Sequence, residues 1–241
     1  MEWFVVIAGD IFDLEELSKS LNSSGLCITR KGEEFILKST DFNLLKDADD
    51  VRNKANEIIS QINGAARLTL GMRKPLAVAS VGNIDDDGTV HGFVSISFSE
   101  TINLRTSVSA SVIAPDGTIQ ERHQGDPIPS WITVAQHDTN VAKALRLFGA
   151  GTHDWVSLYR IYEVIESDVG GKLNIINNGW ATEKSIKRFK YTANSPGAIG
   201  DEARHGKNTI PPPKDPMTLS EAKPLIETIL RNWLRSKSEL P

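Results

Sequence analysis

The sequence predicts an α+β protein: a strand-rich N-terminal part with two helices, followed by a C-terminal helical bundle. Three observations predict it. Across residues 1–123 the apolar residues mostly fall in short or alternating runs of strand type, interrupted by two stretches with helical spacing. Gln124-Gly125-Asp126-Pro127-Ile128-Pro129 then breaks the pattern, and beyond residue 130 the apolar period is helical. A chain of 241 residues with 39% hydrophobic content can bury a core without cross-links. A division into a mixed sheet domain at 1–123 and a helical domain at 130–241 gives two parts of ordinary size.

In chain order, the run Trp3-Phe4-Val5-Val6-Ile7-Ala8 is a strand; an acid precedes it and no basic segment does, unlike a secretory signal. Asp10 or Asp13 caps a helix whose Leu14, Leu17 and Leu21 share a face, and Gly25 ends the connection. Strands at 26–30 and 33–38 flank the turn residues Lys31-Gly32. A second helix runs from Asp49, with Val51, Ala55, Ile58, Ile59 and Ile62 on one face and Asn63-Gly64 as its stop. Residues 76–84 and 89–98 form a hairpin, since Val94, Ile96 and Phe98 alternate with serines. Serine alternates with Val108, Ala110 and Val112 in another, turning at Ala114-Pro115-Asp116-Gly117. These strands form one sheet with the two helices on a face.

In the second part, Val141, Ala144, Leu145 and Phe148 mark a helix ended by Gly149 and Gly151. Trp155, Leu158, Tyr159, Tyr162 and Ile165 mark the next, ended by Gly170-Gly171; a third covers about 182–192. The last starts at Thr218 with Glu221 as its capping box and carries Leu219, Ala222, Ile226, Ile229, Leu230 and Trp233 inward. Pro224 predicts an irregularity there or a later start. A loop of about twenty residues, 194–216, precedes it, and loops of that length usually carry function.

Composition narrows the function classes. A net charge of −4 argues against a basic coat for nucleic acid, though not against a local patch. No stretch approaches the roughly 18 apolar residues of a membrane span, and the single cysteine, Cys27, reads as a small buried hydrophobe without a disulfide partner. A cytoplasmic location with no membrane partner follows as the expectation. Asn83-Ile84-Asp85-Asp86-Asp87-Gly88 begins like a calcium loop, but Val94 stands where the closing acid belongs, so it reads as a hairpin turn. Gly149-Ala150-Gly151-Thr152-His153-Asp154 follows a helix and lacks the third glycine of a dinucleotide site, so it reads as a helix–helix turn. The five histidines include no pair at i, i+4; no metal and no cofactor is expected.

The stretch 184–207 carries the chemistry. Lys184, Lys187, Arg188 and Lys190, with Phe189 and Tyr191 interleaved, suit a phosphate backbone and stacked bases, and Asn194 and Lys207 extend the same surface as candidate ligand contacts. The plainer reading is a helix with a solvated basic face and two core aromatics. Asp201, Arg204 and His205 cluster between glycines as catalytic candidates: the guanidinium for phosphate or transition-state charge, the imidazole for proton transfer, the acid to orient one of them. The same three side chains can instead tie a long loop to the bundle.

Ala203-Arg204-His205-Gly206, before a last helix opening Met217-Thr218-Leu219-Ser220-Glu221-Ala222, resembles the HEPN domains, small helical bundles of prokaryotic toxin and defence proteins, many of them ribonucleases. The resemblance covers about residues 130–241. Active members carry a histidine four to six positions after the arginine, whereas here His205 follows Arg204 directly and 208–210 are Asn208, Thr209 and Ile210. What the resemblance implies is therefore a non-catalytic, binding or regulatory version that meets RNA, a nucleotide or another anionic ligand. The rival expectations are a metal-independent HEPN-like endoribonuclease of a toxin or phage-defence system, and a structural or assembly protein that pairs as a homo-oligomer or with a protein partner.

Overall fold

The computed structural model describes residues 2–85, 87, 89–94, 112–113, 119–120, 126–204 and 212–239, and the fold is α+β. Strand β1 (Glu2–Ala8) leads to helix α1 (Ile11–Ser20), where the Asp10 carboxylate accepts the Phe12 N–H as N-cap. Strands β2 (Leu26–Lys31) and β3 (Glu34–Ser39) form a hairpin whose turn places Gly32 at φ 65°, a conformation that glycine adopts at no steric cost. Helix α2 (Ala48–Leu70), capped by Asp47, is followed by β4 (Ala77–Ile84) and β5 (Val90–Val94). Among the described residues these strands make a five-stranded sheet in the order β2-β3-β1-β4-β5, antiparallel throughout. Trp3, Val5 and Ile7 bury one face of β1; on the other, the Phe4 ring lies over its cross-strand partner Gly82, so closely that a Cβ there would meet it.

Two features of this half differ from the sequence reading. Asn63-Gly64 does not stop α2; the helix continues to Leu70 and ends at Gly71, φ 63°. Both residues are kept for packing. The buried Asn63 amide accepts the Leu76 N–H at 2.8 Å and donates to the Leu76 carbonyl at 3.0 Å, pinning the start of β4 to the helix. Gly64 lets another backbone pass against α2. Cys27 is half-buried, not buried, because it lies on the face of β2 opposite Leu26 and Ile28. Between β4 and β5 the Asp85 N–H bonds the Thr89 carbonyl; Asn83 and Ile84 belong to β4, and Asp86 and Gly88 of the expected turn lie outside the described residues. Of the second hairpin, the structure describes only β6 (Val112–Ile113) pairing with β7 (Ile119–Gln120), and among the described residues this pair is a sheet of its own and not part of the one sheet the sequence predicts; the alternation at 95–111 and the turn at 114–117 lie outside the described residues.

The helical half runs α3 (Ile128–His137), α4 (Thr139–Gly149), α5 (Trp155–Asp168), α6 (Lys172–Asn177), α7 (Glu183–Ala193), α8 (Pro196–Ile199) and α9 (Leu219–Ser238). Side-chain caps set most starts: Asp138 for α4, Asp154 for α5, Thr182 for α7, and the Thr218/Glu221 capping box for α9. Ile128 and Pro129, read from sequence as part of a break, are the first turn of α3, where a proline's missing N–H costs nothing. The 194–216 loop holds α8 and a 3₁₀ turn at Gly200–Glu202. α9 neither starts late nor breaks at Pro224; the carbonyl that loses a donor belongs to exposed Ser220, within reach of water.

Helix α2 packs against α3 and α4, so apolar residues from both halves join one buried cluster. At the crossing, Gly64 faces Leu145 and Gly149 faces Ser60 and Gly64; a Cβ on Gly64 would stand 2.1 Å from the Leu145 oxygen. A polar knot closes the bundle elsewhere. Asp168 accepts from Trp233 Nε1 and Asn140 Nδ2, both at 2.9 Å, and Lys237 bridges Asp168 and Asp138 at 2.8 Å each. Burial works against ionising these two acids, but their bonds to Lys237 and to the neighbouring donors outweigh it and hold both below the ordinary carboxylate range.

Candidate functional site: the outer face of helix α7

Helical spacing sorts the residues of α7 onto two faces. Ile186, Phe189 and Ala193 point inward and are buried, and the Phe189 ring lies among Trp155, Tyr159 and Tyr162 at centroid distances of 6.1, 5.7 and 5.9 Å. Lys184, Lys187, Arg188 and Tyr191, at i, i+3, i+4 and i+7, share the outer face. Of the two interleaved aromatics, Phe189 is core, while Tyr191 stays 44% exposed.

Those four side chains, with Pro213 and Asp215, line an open groove of about 300 Å³. Arg188 builds its wall. The guanidinium bonds the Asp215 carbonyl and carboxylate at 3.0 and 3.1 Å, the Pro216 carbonyl at 3.0 Å and the Glu221 carboxylate at 2.8 Å, clasping residues 215–221 to α7. Its hydrogen bond to Glu221, helped by the Thr218 backbone and hydroxyl donors, pushes that carboxyl down to about 2. Among the described residues neither Lys184 nor Lys187 is in an ion pair, so both ammonium groups face the groove uncompensated.

The other sequence candidates lie elsewhere. Lys190 does not line the groove: its ammonium is 3.1 Å from both oxygens of Glu166, which also accepts the Tyr162 hydroxyl at 2.9 Å. Burial, with that acid's help, raises the Tyr162 pKa far above its usual value. Asn194 donates to the Lys190 carbonyl at 2.7 Å and closes the end of α7. Arg204 sits 2.8 Å from Glu163, 4.5 Å over the Tyr159 ring, and its N–H bonds the Ala193 carbonyl. Asp201 is exposed in the 3₁₀ turn; His205 and Lys207 lie outside the described residues. The sequence reading does not name Pro213 and Asp215; Asp215 is brought to the groove by the Arg188 clasp across 27 residues, which leaves no local signal.

The helix–helix turn at 149–154 is as the glycines require, with Gly151 at φ 90°, and the His153 ring lies tilted against Phe148, centroids 4.3 Å apart, while burial pushes its pKa down. Among the described residues, no three His, Cys, Asp or Glu side chains converge as metal ligands, and no helix is long and apolar enough to cross a membrane. Fold and site together define an α+β protein whose helical half presents a basic, tyrosine-bearing helix face. Compared with protein-family models, curated proteins and solved structures, the chain matches none of them.

Proposed function

We propose that this is a binding protein that takes single-stranded RNA, or a nucleotide, on the outer face of α7. One observation carries the reading: two lysines that, among the described residues, have no carboxylate partner precede an exposed tyrosine along one helix face, and all three line a groove with a proline. A base stacks on Tyr191 in the groove that Pro213 also lines, and successive phosphates to one side of it meet Lys187 and then Lys184. Sequence preference is not required of such a site, because every base offers a π-face. Arg188 serves by holding the groove's wall in place and has no charge to spare for the ligand.

The test is binding and integrity of end-labelled single-stranded RNA with wild type, Tyr191→Ala, Lys184→Ala/Lys187→Ala and Arg204→Ala/His205→Ala, at two salt concentrations. Salt-sensitive binding that both α7 variants weaken, with the RNA left intact, is the expected result. Binding indifferent to the α7 variants overturns the proposal. Cleavage that disappears with Arg204→Ala/His205→Ala establishes the ribonuclease reading in its place.

A further inference from the structure

A second and larger cleft, about 640 Å³, opens between α2 and α4, walled by the 41–45 segment and the last turn of α3. Its charges come from different elements. Lys54 Nζ on α2 lies 3.3 Å from Asp41 and 3.7 Å from Glu57, one ammonium facing two carboxylates. On α4, Arg146 lines the same cleft and, among the described residues, is in no ion pair. Apolar surface lines it too: buried Ile58, and Leu44, 88% exposed. A mixed cleft of this volume with a few convergent polar groups is the usual form of a small-molecule site.

We propose that this cleft binds an amino acid of apolar frame, its ammonium on the Asp41 and Glu57 carboxylates, its carboxylate on the Arg146 guanidinium and its hydrocarbon part against Leu44 and Ile58. A guanidinium offers two parallel N–H donors to a carboxylate, the pairing that fixes both position and orientation. A simple anion leaves the surplus acid without a partner, and a simple cation leaves Arg146 without one; only a zwitterion answers both. The site is separate from the α7 groove, so its fate is independent of the RNA reading.

Isothermal titration of the full chain with L-leucine and with 6-aminohexanoic acid tests it, the two probes carrying their charges adjacent and at opposite ends. Hexanoic acid and hexylamine, each lacking one charge, are the comparisons. At least one amino acid is expected to bind saturably, with each single-charge counterpart about tenfold or more weaker, the value of one lost charge-assisted bond. Arg146→Ala and Glu57→Gln each weaken that binding, Arg146→Ala by about tenfold or more. Lys143→Ala, an exposed cation of the same helix outside the cleft, leaves it unchanged. Saturable binding of neither amino acid, equal binding of hexanoic acid or hexylamine, or indifference to Arg146→Ala overturns the proposal.

Discussion

Replacing Gly64 with alanine puts a methyl group where α2 meets α4. The added Cβ stands 2.1 Å from the Leu145 oxygen, 2.7 Å from its carbonyl carbon and 2.9 Å from its Cα, all backbone atoms that no rotamer change can move. Ordinary contact begins at 3.4 Å, so the helices must part by about 1.3 Å at this point. Parting loosens the seam that buries Ile62, Leu145 and Phe148, and a gap of that size forfeits much of the dispersion energy along it. Overpacking typically costs about 1–3 kcal/mol and occasionally more; a clash of this depth against fixed backbone falls at or just past the top of that range, about 3–4 kcal/mol. Alanine in a helix interior returns about 1 kcal/mol over glycine. The net loss is about 2–3 kcal/mol, or a fall in Tm of roughly 5–10 °C for a chain of this length. Urea titration of Gly64→Ala, Gly149→Ala and the double variant measures it. The two share one contact, so the double variant is expected to lose less than the sum. A Gly64→Ala protein as stable as wild type refutes the reasoning, for then propensity alone would be deciding the outcome.

Four further outcomes follow from named contacts. Tyr191→Ala is expected to weaken single-stranded RNA binding by about 1–3 kcal/mol. Loss of both Lys184 and Lys187 is expected to flatten the slope of log K against log salt by roughly 1.4; filter binding across a salt series reads both. Asn63→Leu leaves the Leu76 N–H and carbonyl buried without partners and is expected to cost about 2–4 kcal/mol in denaturant unfolding. For Asp138 and Asp168 the folded pKa lies below the unfolded one, so the fold binds fewer protons. Their contribution is complete above about 3.8 and is lost as pH falls through the lower folded values. Lys237→Met is expected to cost roughly 2 kcal/mol at neutral pH. It is also expected to shrink the acid-induced loss, as seen by thermal unfolding at pH 2 to 7.

Much of the fold was legible because its signals are local. The Thr218/Glu221 box, the Asp10 cap and the Leu14–Leu17–Leu21 face act within a turn or two, and each sits where its spacing puts it. The misreadings came from residues whose reason is tertiary. Asn63-Gly64 is a sound stop signal in isolation, and only the approach of α4 and the need of Leu76 for partners explain it inside a helix. The same holds for the site. The face shared by Lys184, Lys187 and Tyr191 is a matter of period, whereas which of the cations are already neutralised depends on Glu166 and Glu221, neighbours 24 and 33 positions away. The α2–α4 cleft, assembled from the 41–45 segment, α2, α3 and α4, has no sequence signature at all.

The sheet order has a consequence for synthesis. β1, translated before the other strands of this sheet, is its middle strand, with β3 on one side and β4 on the other. Its β3 edge closes once residue 39 has emerged, but its other edge, carrying the pairing groups of residues 2–8, waits for β4, about seventy residues after β1 ends. Until then the nascent chain holds an open, apolar strand edge of the kind that recruits other chains. The Asn63–Leu76 bonds span only 13 residues and hold the start of β4 to α2, so that once translated the strand is positioned to close the sheet.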